Sequence, residues 1–240
     1  MNRLKFPELK ALIFDVQGTA TDFRSTLAEE AARLSRGRAG DFDWGGFVDE
    51  WRGLYRPALD EVLAGTRPWT SVDLIYREAL DLLLTQKSLS FFSAPERAEL
   101  NFAWQKIRPW PDVLAGLERL KTRYKIATLS NADVSAVINI AKYGGLPFDA
   151  VFAAEMAGTF KPDPRTYHMA MKYLGLKPEE VMMVACHKYD LRAAKELGMQ
   201  TAFVARPLEF GPNGKVDLRF EDDFDINARD FLHLAEQLDC

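Results

Sequence analysis

The sequence predicts an α/β protein that has a parallel sheet and an inserted helical segment. The first indication is a set of short, continuously apolar runs, which are typical of strands covered on both faces. The second is that helical patterns separate these runs from the second run onward, as right-handed βαβ units require. The third is that residues 23–110, which follow the first run, carry no strand pattern. The predicted strands span 11–14, 125–129, 150–153, 181–185 and 201–204, and the helices between the later strands lie near 114–120, 134–141, 167–174 and 191–197.

The helical segment breaks the alternation, because the first strand has no ordinary crossover to a neighbour. A separate cap inserted into an α/β core is therefore favoured over an ordinary helical layer. We predict a core domain of residues 1–22 and 111–240 with a five- or six-stranded sheet, and a helical cap domain of residues 23–110. Residues 208–226 are polar and predict a loop, and a final helix is predicted at 227–238. The predicted cap helices span 26–36, 46–64, 70–86 and 94–107.

Composition excludes several classes of protein. The chain has 240 residues, of which 48% are hydrophobic and 28% charged, as is typical of a globular protein with a core. The net charge of −4 provides no general attraction to nucleic acid or to a membrane surface, so a small anionic substrate would need a local basic pocket. We find neither a signal-peptide pattern nor an apolar run of about 20 residues. Cys186 and Cys240 have no disulfide or metal-ligand spacing, and a cytoplasmic protein is expected.

Polar side chains follow the predicted strands at the edge where parallel sheets place their ligands. Asp15 can attack carbon or phosphorus and form a covalent intermediate. Such a carboxylate needs a nearby cation, and Lys161 is the candidate. Gly18 allows a sharp turn beside the nucleophile. Hydrogen-bond donors at the same edge are Thr19, Ser130 and Asn131.

Four segments in order resemble the motifs of the haloacid dehalogenase superfamily, and the resemblance covers essentially the whole chain. It implies that superfamily's Rossmann-like parallel-sheet core with a helical cap inserted after the first motif. The segments are Asp15-Val16-Gln17-Gly18-Thr19, Leu129-Ser130-Asn131, Lys161-Pro162-Asp163-Pro164 and the closing Asp190.

Most members of the superfamily are magnesium-dependent phosphatases, from which this chain departs at two positions. Those enzymes carry a second Asp where this chain has Gln17, and that Asp protonates the leaving oxygen while its carbonyl helps to bind the metal. They also usually carry an Asp where this chain has Cys186. Mg²⁺ prefers oxygen ligands, and Gln17 cannot act as an acid. Because halide leaves without a proton, the resemblance implies a dehalogenase that uses neither metal nor cofactor.

The (S)-2-haloacid dehalogenase branch supplies further matches. Its cap carries a Trp-Arg pair whose Arg contacts the substrate and the departing halide, and Arg52 fits that position. Tyr167 matches a Tyr after the lysine motif, and His187 lies in a segment similar to that of a subgroup with Ala-His-Asn. There are two departures, since the position of Gln17 is usually aromatic and that of Lys188 is usually Asn or another small polar residue.

The resemblance implies hydrolysis of short (S)-2-haloacids, with haloacetates and fluoroacetate as further candidates, to (R)-2-hydroxyacids, often by a homodimer. Asp15 would form the ester, and Lys161 and Asp190 would order the site. The alternatives are a phosphatase of the same superfamily and a catalytically weak protein that acts through binding. Arg52 and Asn131 would surround the halide, and Ser130 would bind the substrate carboxylate. His187 would contact the substrate or assist the hydrolytic water. The expected substrate-binding residues are Thr19, Arg52, Ser130, Asn131, Tyr167 and His187.

Overall fold

The fold is built around a five-stranded parallel sheet, which confirms the predicted α/β class. The computed structural model describes residues 6–240, so residues 1–5 of the predicted core segment lie outside the described residues. The strands of the chain are β1 (Ala11–Phe14), β2 (Thr21–Asp22), β3 (Arg108–Pro109), β4 (Lys125–Thr128), β5 (Val181–Ala185), β6 (Gln200–Val204) and β7 (Ile226–Ala228). The sheet has the order β4-β1-β5-β6-β7, and β2 and β3 form a separate antiparallel pair.

Five helices accompany the sheet in the second part of the chain. They are α5 (Val113–Lys121), α6 (Val134–Gly144), α7 (Pro164–Leu174), α8 (Lys188–Glu196) and α9 (Phe231–Gln237). Alternate residues of a strand face opposite sides of the sheet. Leu12 and Phe14 of β1 therefore pack into a different apolar cluster from Ile13, and all three are fully buried. This two-sided burial is why β1 is apolar at every position, and it places the residue after β1 at the centre of the sheet edge.

Four helices, α1 (Phe23–Ser35), α2 (Trp44–Leu63), α3 (Val72–Gln86) and α4 (Ala94–Phe102), lie between β2 and β3. Polar side chains cap their first turns, because the first amides of a helix have no partner within it. Asp22 accepts from the Ser25 amide at 2.9 Å, and Ser93 and Glu96 form a reciprocal capping box. These helices occupy the predicted cap range, and the division into cap and core at residues 23 and 111 remains our proposal.

Two predictions about the sheet are wrong. Residues 150–153 form isolated bridges to Ala127 and Ser130 but no strand, because the Thr128 hydroxyl bonds to both the amide and the carbonyl of Phe152, at 3.0 and 2.9 Å. The predicted start of the last helix at 227 falls in β7, and α9 begins at Phe231 after the cap residue Asp230. Within residues 6–240, no helix is both long enough and apolar enough to span a bilayer.

Candidate active site

Asp15 follows β1 directly and is the centre of a hydrogen-bonded cluster. The side chain is buried, with 5% of the residue exposed. Its Oδ1 accepts a hydrogen bond from Lys161 Nζ at 3.0 Å, and its Oδ2 accepts one from Thr19 Oγ1 at 2.7 Å. Nδ1 of His187 lies 2.9 Å from the same Oδ2. The structure thus brings residues that are 146 and 172 positions away in sequence onto the predicted nucleophile.

Lys161 also bonds to Asp190, and a third residue holds Asp190 in turn. Nζ of Lys161 contacts Asp190 Oδ2, and the Tyr167 hydroxyl donates to Asp190 Oδ1 at 2.5 Å. Asp190 and Tyr167 are both fully buried. Tyr167 is expected among the substrate-binding residues, but its hydroxyl lies behind Asp190, so we propose that it positions Asp190.

Asn131 fixes the backbone of Lys161 from both sides. Its Oδ1 accepts from the Lys161 amide at 2.7 Å, and its Nδ2 donates to the Lys161 carbonyl at 3.1 Å. An amide nitrogen carries two N–H groups, so the proposed halide contact requires the second one. Neighbouring Ser130 is buried, and its backbone accepts from the Ala154 amide at 2.8 Å. That Ser130 binds the substrate carboxylate remains a prediction.

The charges of this cluster keep Asp15 ionised. Burial raises the pKa of Asp15, but Lys161 together with the hydrogen bonds from His187 and Thr19 outweighs burial and holds the pKa well below its usual range. Burial lowers the pKa of Lys161, but the charges of Asp15 and Asp190 outweigh it and raise the pKa above its usual value. A carboxylate beside an ammonium ion is the state that a nucleophilic Asp requires.

His187 bridges Asp15 and a residue that the sequence did not reveal, Glu209. Its Nε2 lies 2.8 Å from Glu209 Oε1, while its Nδ1 faces Asp15. Glu209 is buried, at 5% exposure, and lies in the segment predicted as a polar loop. Burial lowers the pKa of His187, but Cys186, Glu209 and Asp15 outweigh it and raise the pKa well above its usual value. Both ring nitrogens of His187 thus face carboxylate oxygens, an arrangement that favours the protonated ring.

Gly18 provides the space in which Glu209 approaches the nucleophile. Its backbone has a φ of +87°, which is the conformation expected of a glycine at a sharp turn. A Cβ at this position would lie 2.5 Å from Glu209 Oε1 and 3.4 Å from the His187 ring. The glycine is thus required twice, once by the turn and once by the Glu209 carboxylate.

The cap contributes Arg52, whose guanidinium faces the same edge of the sheet. Nη1 of Arg52 donates to the Tyr76 hydroxyl at 2.6 Å and lies 3.4 Å from Gln17 Oε1. The Tyr76 hydroxyl donates to Gln17 Oε1 at 2.9 Å, and burial raises the pKa of Tyr76 to about 12, so this hydroxyl keeps its proton. Arg52 also lies over the Tyr55 ring, with Cζ 4.2 Å from the centroid. These contacts hold the guanidinium in place before a ligand binds.

A cavity of about 270 Å³ lies between the cap and the core at this point. Arg52 and Tyr55 line it from the cap, and His187 and Glu209 line it from the core. A space of this size fits a small organic acid better than a large ligand, since drug-sized pockets begin at about 300 Å³. The guanidinium that we predict to bind substrate thus faces a small space whose wall includes His187, the residue that contacts Asp15.

The residues around Asp15 do not fit Mg²⁺, which prefers oxygen ligands with free lone pairs. Lys161, Thr19 and His187 present N–H and O–H groups to the Asp15 oxygens. Oε1 of Gln17 already accepts from Tyr76, and position 186 offers a thiol. We therefore derive no step through Mg²⁺.

Comparisons with known proteins identify the family of the chain. The model of the haloacid dehalogenase-like hydrolase family matches residues 9–198. The (S)-2-haloacid dehalogenase of Xanthobacter autotrophicus is 30% identical in an alignment of 215 residues, and the match covers 82% of this chain and 76% of that protein. The (S)-2-haloacid dehalogenase 4A of Burkholderia cepacia is 28% identical over 82% of this chain and 84% of that protein.

Solved structures extend the likeness over nearly the whole chain. The crystal structure of the L-2-haloacid dehalogenase PA0810 superposes with a TM-score of 0.90 at 41% identity, and the match covers 96% of this chain and 99% of that one. The structure of a defluorinating L-2-haloacid dehalogenase superposes with a TM-score of 0.92 at 37% identity over 97% and 96% of the two chains. The chain belongs to the haloacid dehalogenase-like hydrolase family.

Proposed function

We propose that this member of the haloacid dehalogenase-like hydrolases converts short (S)-2-haloacids to (R)-2-hydroxyacids through an ester on Asp15. The observation that carries the proposal is the buried Asp15 carboxylate, which Lys161, Thr19 and His187 hold. His187 also lines a small cavity that Arg52 lines from the other side. The relatives named above are (S)-2-haloacid or L-2-haloacid dehalogenases.

In the first step, an oxygen of Asp15 attacks the halogen-bearing carbon from the side opposite the halogen. The carbon–halogen bond breaks, the halide leaves with the electron pair, and the carbon is inverted. Lys161 and Asp190 hold the carboxylate in place, as direct displacement requires. Arg52, and the second amide N–H of Asn131, stabilise the charge that develops on the halide.

In the second step, water hydrolyses the ester with the help of His187 and Glu209. Esterification removes the negative charge of Asp15, so the ring loses one of its two anionic partners and can release its proton to solvent. The neutral Nδ1 then accepts a proton from the water that attacks the ester carbonyl, while Glu209 stabilises the ring on the Nε2 side. His187 returns this proton to the departing alkoxide, which gives the hydroxyacid. The second proton of the water remains on the Asp15 carboxyl group and then passes to His187 Nδ1, which restores both the Asp15 carboxylate and the protonated ring.

A phosphatase reaction is disfavoured by the state of Gln17. A phosphatase must protonate its leaving oxygen, and the Gln17 side chain has no acidic proton. Its Oε1 also accepts a hydrogen bond from Tyr76 instead of facing a leaving group. A purely binding role does not account for the buried ion pair of Asp15 and Lys161, which a nucleophilic carboxylate requires.

We also propose, from the resemblance to the dehalogenase branch, that the chain acts as a homodimer in the cytoplasm. Analytical ultracentrifugation of the purified protein tests the first point, since a monomer at micromolar concentration contradicts it. Fractionation of the source cells tests the second.

Halide release from (S)-2-chloropropionate in excess EDTA tests the function. We expect chloride release that is unchanged by EDTA and lost in Asp15→Asn, while (R)-2-chloropropionate remains unconverted. Activity that disappears in EDTA and returns with Mg²⁺ would contradict the assignment, as would phosphate release from a phosphomonoester panel in place of chloride release.

Isotope labelling separates direct attack from general-base catalysis by Asp15. In a single turnover in H₂¹⁸O, direct attack transfers an unlabelled Asp15 oxygen to the hydroxyacid and leaves ¹⁸O in the Asp15 carboxylate. Mass spectrometry of the peptide that contains Asp15 should show the label. Label in the first-turnover product and none on Asp15 would remove Asp15 as the nucleophile.

A further inference from the structure

Cys186, His187 and Glu209 form a set of possible metal ligands beside the nucleophile. One ligand atom from each lies within 4.8 Å of the other two. The Glu209 carboxylate lies between the others, with Oε1 2.8 Å from His187 Nε2 and Oε2 3.8 Å from Cys186 Sγ. Tetrahedral Zn²⁺ with ordinary bond lengths separates its ligand atoms by about 3.3 to 3.7 Å. Shifts of less than about 1 Å would therefore place all three atoms around one ion.

The surroundings of these ligands are those of a zinc site. A histidine that binds zinc generally donates its other ring N–H to a carboxylate, which fixes the ring. Nδ1 of His187 lies 2.9 Å from Asp15 Oδ2 and meets this condition. Thr19 Oγ1 lies 3.3 Å from Cys186 Sγ and accepts a hydrogen bond from the Cys186 amide at 3.0 Å, which fixes the backbone at this ligand. Thiolate and imidazole together select zinc over the hard ion Mg²⁺.

A second cavity gives an ion access to the set from solvent. It has a volume of about 280 Å³, and Cys186, His187 and Glu209 all contribute to its wall. Cys186 is a free thiol that is only partly buried. The cavity thus leaves space for a fourth ligand, such as a water molecule, beside the three side chains.

We propose that Cys186, His187 and Glu209 bind Zn²⁺ and that the bound ion inhibits the enzyme. The inhibitory part rests on the proposed function. Binding displaces the proton of the thiol and the proton on His187 Nε2, both of which pass to solvent. The ring then keeps its remaining proton on Nδ1, where it faces Asp15, and cannot accept a proton from the hydrolytic water. Asp15 is not a ligand, so this site differs from the magnesium site of the phosphatases.

Cobalt substitution tests binding without reference to activity. Purified protein stripped with EDTA and dialysed free of it is titrated with CoCl₂, and we expect one equivalent to produce the near-ultraviolet band of a thiolate–Co²⁺ bond. ZnCl₂ should bleach this band. Cys186→Ser should abolish it, and the matched control Cys240→Ser should retain it. A band that survives in Cys186→Ser, or its absence in the wild type, would overturn the site.

Inhibition of chloride release tests the second part. ZnCl₂ should inhibit the wild type and Cys240→Ser equally, EDTA should reverse this, and MgCl₂ should have no effect. In Cys186→Ser the half-inhibitory concentration of Zn²⁺ should rise by at least about tenfold, since one of three protein ligands is lost. An unchanged value would refute inhibition through this site. If the wild type releases no chloride at all, the proposed function fails, and the cobalt spectrum still decides the metal site.

Discussion

Replacement of His187 by Gln should separate the two halves of the proposed reaction. The change removes the base that faces the Asp15 ester but leaves Lys161 and Thr19 on the carboxylate, at 3.0 and 2.7 Å. The first step should therefore proceed at a rate close to that of the wild type. The second step should slow by about 10² to 10⁴-fold, the usual contribution of a positioned general base. That loss corresponds to about 3 to 5 kcal/mol of transition-state stabilisation.

Rapid-quench chloride measurement and intact-protein mass spectrometry form the assay. His187→Gln should release about one chloride per chain in a fast burst and then stall, and its mass should increase by that of the substrate without the halogen. Glu209→Gln keeps an acceptor for the ring but loses the charge, so a smaller slowing of about tenfold to a hundredfold is expected. His168→Gln, a change at an exposed histidine of α7, should behave as the wild type.

The stoichiometry of the burst decides whether this reasoning holds. If His187→Gln slows the burst as much as the steady state and no adduct forms, His187 serves the displacement step instead of ester hydrolysis. If the variant turns over at the wild-type rate, His187 and Glu209 are structural. Circular dichroism and thermal unfolding of each variant would show that loss of folding does not produce either result.

Three further predictions concern charge and leaving group. Lys161→Ala and Arg52→Ala should each reduce kcat/KM for 2-chloropropionate by at least about tenfold, or roughly 1.4 kcal/mol, and a wild-type value would remove that residue from the site. Asp112→Asn should lower the free energy of unfolding at pH 7 by about 3 kcal/mol, because buried Arg206 loses the negative charge of its partner and one of its two hydrogen bonds, which measure 2.7 and 2.9 Å. Burial raises the pKa of Asp112, but the interaction with Arg206 is stronger and lowers it below the usual Asp value. The stabilisation by this ion pair is therefore complete above the usual Asp pKa, and it is lost as the pH falls through the lowered pKa of the folded protein. Urea unfolding of both proteins from pH 7 downward should therefore show the difference shrinking, and a constant difference would contradict the ionic origin. Finally, fluoroacetate should release fluoride at an ion-selective electrode, as one similar structure is of a defluorinating enzyme, and chloride release without any fluoride release would dismiss this expectation.

The edge of the sheet was predictable because parallel strands end side by side. Asp15 follows β1, and the strand order places β4 and β5 on either side of it. This arrangement alone implies that Ser130 and His187, which follow β4 and β5, lie near Asp15. The neighbourhood of the site thus follows from strand positions that apolar runs already reveal.

Glu209 was not predictable from the same kind of pattern. It lies in a segment without helical or strand periodicity, 22 residues after His187, and its position depends on a tertiary contact with the His187 ring. The one local feature of the sequence that relates to Glu209 is Gly18. A glycine beside a nucleophile indicates a turn, but only the folded chain shows that a carboxylate occupies the space where a side chain would be.

The two wrong predictions about the sheet also arise from tertiary contacts, because both depend on which group a polar side chain bonds to in the folded chain. Thr128 is the last residue of β4, and its hydroxyl bonds to the amide and the carbonyl of Phe152 in a way that interrupts a regular ladder. Asn227 makes the sequence of β7 resemble the polar segment before it. In the structure, the Asn227 side chain forms hydrogen bonds with the amide and the carbonyl of Glu221, at 3.1 and 2.8 Å. A buried polar group costs little when it is bonded, and the sequence does not say where that bond will form.

Gln17 is the first of the two departures from the dehalogenase branch, and its side chain binds the hydroxyl of an aromatic residue, Tyr76. Where the branch usually carries an aromatic residue, this chain has an amide whose Oε1 accepts from the Tyr76 hydroxyl. The Tyr76 ring, stacked on Trp104 at 3.8 Å, therefore lies against the site from the cap. Gln17 thus joins the segment after β1 to the Tyr76 side chain of α3.

Lys188, the second departure, supports the residue that the sequence did not reveal. Its side chain is buried, and Nζ lies 2.8 Å from Asp217 and 3.0 Å from Glu221, both in the segment that follows Glu209. A small polar residue at position 188 could not reach these carboxylates. Lys188 therefore ties this segment to the start of α8, one residue from His187. The ion pairs of Lys188 and the contact of Glu209 with His187 therefore both join residues 209–221 to the segment that follows β5.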